Sequence, residues 1–486
     1  MLRKRYLAYP RRVSLVIGWI ALWGLLVGNH CPSHTPYGIE GPFRNVDGIF
    51  PYKLAHEAGF RWTSFFIPWW RLDLMVGGER CFCWNQTSCE DPASPTGYKD
   101  CRFAPLPSCP DPDGDPSDCP ACCDADGDPS DCPACCSSCG GPTPPCARCS
   151  TGMPLQTMDE HVQQAAGAGM AILAIIEGTP PWANGGNGTM VPPNAVPGGN
   201  PADEHFYDFA YAVAQRYGPS STIGLIKAYE LYSEINFTAH WSDQSAAGQQ
   251  AYRNRILKPG FDAIKAAYPQ AWVAGAPIYF GHLESSGSFI KPWLKENVCA
   301  AACSNAGAPC TPGGGMCSGC GDACGALARP VDFVSIHSYR ANVGAPGTAN
   351  TVLNDVDLVV NQIFQTDPAF ANVGRFWLTE FGWGRPSGPN CPSCSSETDC
   401  ANKILAVFAA MDDTVAGGGP KYPKWERSFL FSYHDRTQAR WELECHYGLI
   451  DDNDSLGVTD GMPEVGVLKQ RYNLVKCGLT GMGCGP

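Results

Sequence analysis

Short apolar runs alternate with stretches of helical periodicity along almost the whole chain, and each run ends among polar or aromatic residues. The runs are YGIEGPF from Tyr37, FRWTSFFIPWWRLD, MAILAIIEGTPPWAN, IKAYELY, AWVAGAPIYF, VDFVSIHSYR, RFWLTEFGW and RSFLFSYHDR. Their density of β-branched, aromatic and aliphatic residues reads as strand. Between them lie Pro51–Gly59, Thr157–Gly169, Asp203–Tyr217, Ala247–Tyr268, Thr351–Gln365 and Ala401–Asp412, with apolar residues at helical spacing. Eight strands in alternation with helices favour a closed parallel barrel over an open sheet. The expected fold class is therefore α/β, a (β/α)8 TIM barrel over residues 37–480, interrupted by cysteine-rich loop insertions.

Two of these strands finish on a carboxylate. Ile226 to Trp241, IKAYELYSEINFTAHW, presents Glu234 where strand four gives way to a loop. Arg375 to Pro386, RFWLTEFGWGRP, presents Glu380 beside Phe381 and Trp383 on strand seven. In a barrel the C-terminal strand ends share one cleft, so the two carboxylates can face each other there. A pair of that kind is what acid and nucleophile chemistry on a glycosidic bond requires. A lone glutamate at a strand end is more often a satisfied interior residue. Two of them with aromatic flanks reverse that reading.

The residues around both carboxylates resemble clan A retaining glycoside hydrolases, especially those of family 39. In that family the first motif runs aromatic, Glu, aliphatic, Trp, Asn, Glu, Pro, Asn, and YELYSEIN at 229–236 is similar to it. WLTEFGW is similar to the clan's nucleophile strand. The resemblance implies Glu234 as acid/base and Glu380 as nucleophile, with a raised pKa at Glu234. It also implies Tyr339 as a hydrogen-bond partner that orients Glu380. TPPWAN matches the clan's third strand and loop, which would bring Trp182 to the substrate face. VDFVSIHSYR matches the strand that ends in His337 and Tyr339. Trp241 and Trp383, with Trp69 or its neighbour Trp70, are the candidates for stacking on sugar rings, although burial alone explains aromatic residues equally well. Three departures stand out: Ser233 replaces the family's asparagine, Ile235 its proline, and Ser64 an arginine of strand two. Glu230 matches the motif glutamate and reads as support for the barrel floor. Glu177 has no match and reads as structural. His337, His434, Asp435 and His446 sit at or just past strand ends and are candidates for contact with sugar hydroxyls, with a hydrogen-bonded place in the core as the alternative.

The insertions carry most of the 27 cysteines. Residues 77–152 are rich in Cys, Pro, Gly and Asp, without apolar periodicity, and residues 299–324 repeat that character. A smaller group comprises Cys391, Cys394 and Cys400. Segments of this composition cannot bury a core and need cross-links or metal. A tandem repeat, DPDGDPSDCPACC at 111–123 and DADGDPSDCPACC at 124–136, spaces Asp111, Asp113, Asp115 and Asp118, then Asp124, Asp126, Asp128 and Asp131. That spacing resembles thrombospondin type 3 repeats, which implies oxygen ligation of Ca²⁺. The alternative is a solvated loop stapled by disulfides.

Clustered cysteines point to an oxidising compartment. The N-terminus agrees: basic MLRKRYLAYPRR precedes VSLVIGWIALWGLLV, a 15-residue apolar run. Residues 1–30 read as a secretory signal, with an uncleaved anchor as the alternative. A formal charge of −13 argues against nucleic acid and anionic membrane surfaces as partners. Asn85, Asn187 and Asn236 head glycosylation sequons, the last of them too near the carboxylates to be used. No dinucleotide fingerprint, P-loop, zinc-protease helix or nucleophile elbow occurs, and the proposed chemistry calls for no cofactor. The expected function is a secreted retaining glycoside hydrolase, and the resemblance implies β-linked glycans as its substrates. The rival is a catalytically weak barrel kept for carbohydrate binding or adhesion, which Ser233 and Ser64 favour and the intact glutamate pair opposes.

Overall fold

The computed structural model describes residues 36–40, 51–76, 79–83, 89–90, 158–196, 204–280, 293–294, 331–339, 348–367, 370, 373–383, 394–415, 418–431, 450–451, 467–468 and 470–482. The N-terminal apolar run, the Asp repeats, residues 299–324 and His434, Asp435 and His446 lie outside them.

Nine parallel strand segments form one sheet. In chain order they are β1 (Tyr37–Glu40), β2 (Trp62–Pro68), β3 (Ala171–Glu177), β4 (Ile226–Leu231), β5 in two pieces (Trp272–Gly275 and Ile278–Phe280), β6 (Val334–Ser338), β7 (Phe376–Phe381) and β8 (Trp425–Leu430). The first piece of β5 bonds to β4, and the sheet then runs through β3, β2, β1, β8, β7 and β6 to the second piece of β5. The two ends of the sheet are thus one strand, interrupted at Ala276 and Pro277. The sheet closes on itself as an eight-stranded barrel, the fold class expected from the strand–helix alternation.

Proline explains the interruption, because Pro277 has no N–H to give to a ladder. The neighbouring donor is not lost. Ala276 N–H donates to Tyr252 Oη at 2.7 Å, and that hydroxyl donates to Leu231 O at 2.9 Å. Strands buried on both faces read as continuous apolar runs, and AILAIIE of β3 is buried at every residue but the last.

Helices flank the sheet: α1 (Pro51–Glu57), α2 (Met158–Gly167), α3 (His205–Arg216), a composite α4 from Ala246 to Ala267, a composite α5 from Ala349 to Thr366, α6 (Glu397–Ala410) and α7 (Gln470–Thr480). Ser396 caps α6 by accepting from Asp399 N–H at 3.1 Å, with Glu397 and Asp399 in the first turn. The helical expectations lie within a few residues of these bounds. Strand two is shorter than its apolar run: Trp69–Leu72 turns into a helix, and Asp73–Val76, Glu79–Cys83 and Cys89–Glu90 form a small antiparallel sheet at the entrance to the first insertion.

Two apolar clusters result. The larger fills the space between sheet and helices. The smaller lies inside the barrel and comprises Trp62, Leu173, Phe333, Trp377 and Phe429 with small residues between them. Trp377 stacks on Phe333 with centroids 3.9 Å apart. The Arg427 guanidinium lies over Trp62 at 5.2 Å, Trp377 at 5.8 Å and Trp272 at 5.9 Å, a cation–π lid on the barrel floor. Gly38 of β1 is required here, since a Cβ would stand 2.3 Å from the Phe429 ring.

Candidate active site

Above the aromatic floor the barrel interior becomes polar, since alternate residues of each strand point inward. Glu230, fully buried on β4, has Ser335, Thr379 and His337 as neighbours. Burial pushes its carboxyl up to about 7, against the opposing influence of His337 and the two hydroxyl residues. Higher still, at the C-terminal mouth, sit Glu234, His337 and Glu380. One carboxyl oxygen of each glutamate and one imidazole nitrogen all lie within 4.8 Å of one another.

Each side chain reaches the mouth by a local departure from regular strand. Opposite β6, Ile336 pairs with Leu378 but His337 pairs with Glu380. Thr379 is therefore a bulge residue, and the bulge turns Glu380 toward His337. At the end of β4, Tyr232 and Glu234 both have positive φ, 83° and 37°. Such backbone is costly for residues with a side chain and is held by its surroundings. Tyr232 N–H donates to Ile176 O at 2.7 Å and its hydroxyl to Thr189 O at 3.0 Å. Beyond Glu234 the chain folds back in tight turns, tied by Gln244, which donates to Ile235 O at 2.9 Å and Trp241 O at 2.6 Å.

The polar contacts are specific. Tyr339 Oη donates to Glu380 Oε2 at 2.7 Å, the contact that the resemblance implies. His337 Nδ1 is 2.7 Å from Glu234 Oε1 and 3.4 Å from Glu380 Oε2. His240 Nε2 lies 3.3 Å from Glu234 Oε2, and its Nδ1 lies 3.5 Å from Glu177 Oε2. Asn236 clamps the second piece of β5: its amide donates to Tyr279 O and accepts from Tyr279 N–H, both at 2.8 Å. Glu234, His337 and Glu380 offer donors of the type that a metal takes. Here, however, the His337 Nδ1–Glu234 hydrogen bond joins those donor atoms to each other, and the set is read as a hydrogen-bonded acid–base cluster.

The expectation of a raised pKa at Glu234 is not met. Burial pushes this carboxyl up, but the His240 charge and the hydrogen bond and charge of His337 outweigh it, so Glu234 sits below its ordinary value. Burial would lower His240, yet Glu177, Glu234 and Glu380 lift it to about 9. Burial would lower His337 too, and Glu380, Glu234 and Glu230 raise it instead. At the mouth, then, the surroundings favour a proton on each imidazole and charge on Glu234.

The tryptophans need correction. Trp69, Trp241 and Trp383 are each 0% exposed, so none offers a free ring face to a sugar. Trp69 packs edge-on against Phe206 and donates to Asp73 Oδ2 at 2.7 Å. Trp241 wedges between Tyr232 and Tyr252, and Trp383 stands against Phe381. Trp182 is half-buried after β3, with Nε1 donating to Asp73 O at 2.9 Å and its ring against His205. Trp70, rather than Trp69, is the half-exposed member of its pair. It lies against Gly178 at the end of β3, where φ is +78° and a Cβ would meet the indole at 2.2 Å. Ser233 is buried, and its Oγ has no hydrogen-bond partner among the described residues.

Sequence reasoning passed over His240 and the facing role of Glu177. His240 lies within the quoted stretch after strand four, but a histidine nine residues past a strand end reads as loop. Only the turn geometry folds it back onto Glu234.

No protein-family model matches the sequence, and no curated protein matches it. Solved structures do. A glucosidase from Croceicoccus marinus superposes with a TM-score of 0.51 at 14% identity, covering 92% of this chain and 67% of that one. The chain shares the parallel barrel fold of that structure. Also similar are a family 39 enzyme from Xanthomonas axonopodis pv. citri, at 0.48, 14% identity and 92% and 66% coverage, and a monomeric β-xylosidase from Caulobacter crescentus, at 0.47, 14%, 91% and 67%. The chain spans about two thirds of each of these proteins.

Proposed function

We propose that the chain is a glycoside hydrolase that cleaves β-linked glycans with retention of configuration. The observation that carries this reading is the approach of Glu234 and Glu380, one oxygen of each within 4.8 Å of the other at the barrel mouth. Retaining enzymes hold their carboxyl groups about 5–5.5 Å apart, whereas inverting enzymes keep about 6.5–9.5 Å to admit a water. In this reading Glu380, oriented by Tyr339, attacks the anomeric carbon and forms a glycosyl-enzyme. The proton for the departing oxygen arrives through Glu234, which then activates the water that releases the sugar. The Ser233 hydroxyl, without a partner among the described residues, suits a hydrogen bond to a sugar hydroxyl beside the bond being cleaved. Half-exposed Trp70 is the aromatic best suited to flank that sugar.

The same proposal takes the protein to be exported. The basic N-terminus with its apolar run supports this, as do the 27 cysteines and the Cys394–Cys400 bridge. Calcium held by the Asp repeats stays part of the proposal on the spacing of those residues alone.

The test is release of reducing sugar from a panel of β-glycans and aryl β-glycosides, wild type beside Glu380→Ala. Wild-type turnover is expected to fall by at least about 10⁴-fold in the variant, with circular dichroism unchanged. Comparable turnover by both proteins would remove Glu380 as the nucleophile. Glycan retention without turnover by either would leave a binding barrel.

A further inference from the structure

We propose that His240 is a proton-holding positioning residue: bridged between Glu177 and Glu234, it stores the proton that Glu234 delivers to the leaving group. This inference rests on the glycosidase reading for its chemistry, but its geometry stands independently.

A lone glutamic acid serves as general acid when its surroundings keep it protonated. Glu234 has the opposite surroundings. Its Oε1 is bound by the His337 imidazole at 2.7 Å, and its Oε2 faces His240 Nε2 at 3.3 Å. Each imidazole favours the carboxylate. Glu234 therefore starts the reaction without the proton it must give, and the proton has to come from a neighbour. His337 is a poor source, because it is fully buried and also lies 3.4 Å from Glu380 Oε2, so the charge it carries steadies both glutamates.

His240 is better placed. It stands at the rim with a side chain 31% exposed, and its far nitrogen is 3.5 Å from Glu177 Oε2 at the end of β3. The groups that face it are Glu177 from β3, Glu234 after β4 and Glu380 from β7, with His337 behind Glu234. The uncharged ring of Phe237 packs on its near side with centroids 6.1 Å apart. Three carboxylates hold the imidazole protonated into the alkaline range, as its rise to about 9 reflects.

Proton traffic then balances. In the first step the Nε2 proton passes to Glu234 Oε2 and on to the glycosidic oxygen as the C–O bond breaks and Glu380 bonds to the anomeric carbon. His240 is left neutral. In the second step water attacks that carbon, the Glu380–sugar bond breaks, and the water's proton passes to Glu234 and returns to His240. One water is consumed, and each residue ends as it began. Keeping Glu234 ionised at rest suits its second role as base, and the imidazole supplies what its first role lacks.

The test has two arms. With [¹³Cε1]-histidine labelling of the full chain, the His240 resonance is assigned among ten histidines by its loss in His240→Phe. Its titration midpoint is expected above pH 8 in wild type and about one unit or more lower in both Glu177→Gln and Glu234→Gln. A midpoint near the ordinary imidazole value of about 6.5 that neither substitution moves would overturn the bridge, whatever the enzyme does.

The kinetic arm compares aryl β-glycosides of graded leaving-group acidity. In His240→Phe, kcat/KM should fall about 100-fold for poor leaving groups and stay within about threefold of wild type for dinitrophenolate. The alkaline limb of the pH profile should move toward acid, because the proton must then reside on Glu234 itself. Equal losses on all substrates with an unmoved limb would reduce His240 to a packing role. Absence of wild-type turnover on every glycoside would sink the glycosidase reading, and the titration would still decide the bridge.

Discussion

Glu230 sits in an environment that its chemistry disfavours. It is an inward-facing acid in the waist of the barrel, and its oxygens make no well-formed hydrogen bond among the described residues. Its folded pKa of about 7 lies above the ordinary 4.5. A carboxyl raised in this way favours the folded state fully below the unfolded value, and that advantage is lost as pH rises from about 4.5 through about 7. Glu230→Gln should remove this dependence. The stability difference between variant and wild type, followed by urea unfolding across that window, should grow in the variant's favour by roughly 3 kcal/mol as an upper limit. A constant difference across that window would show that the folded state does not raise the Glu230 pKa. At this scale the sequence was legible where a residue type and its position on a strand decide its place. Glu234, Glu380, His337 and Tyr339 all converge at the mouth for that reason. It was misleading for tryptophan, because the same ring that stacks on a sugar also fills a core, and spacing alone does not separate the two. Trp241 and Trp383 follow strand ends, as binding aromatics do, yet both are sealed by neighbouring tyrosine or phenylalanine rings.

Among the elements, strands were the easiest to read, since continuous apolar runs such as AILAIIE admit few alternatives. The irregularities that aim the site were not legible. The Thr379 bulge, the positive φ at Glu234 and the turns that return His240 are products of register and packing, with no residue pattern of their own. Asn236 is an instructive case. It opens a glycosylation sequon, but its amide is committed on both sides to the Tyr279 backbone, joining the loop after β4 to the upper piece of β5. Asn236→Ala should cost about 1–3 kcal/mol in chemical denaturation, since both Tyr279 backbone groups lose their partner. The same substitution should loosen Tyr279, which stacks on Phe237 with centroids 5.0 Å apart.

Over the whole molecule, the last helix fastens the barrel. Arg471 of α7 is fully buried and donates to both oxygens of Glu397 on α6 at 2.7 and 3.0 Å and to Trp383 O at 3.3 Å. The next residue, Tyr472, donates to Leu54 O of α1 at 3.0 Å. One turn of helix thereby ties the first helix, the sixth and the exit of β7. Arg471→Met should lower unfolding free energy by about 3 kcal/mol, because it removes a buried cation together with its hydrogen bonds to Glu397 and to the Trp383 carbonyl. A single unfolding transition moved to lower denaturant is expected, with a separate early phase as the contrary result. The interrupted fifth strand has a different consequence. Its lower piece keeps time with β4 and its upper piece with β6, so Ala276 and Pro277 are the splice where the ring of strands is joined. Because β4 and β6 are also linked the long way round, through β3, β2, β1, β8 and β7, an added or lost residue there would strain the splice before it moved either ladder. Glu234 follows the strand on one side of the splice, and His337 and Tyr339 belong to the strand on the other. The height at which carboxylate meets imidazole is thus set by the whole hoop, as the staves of a cask are.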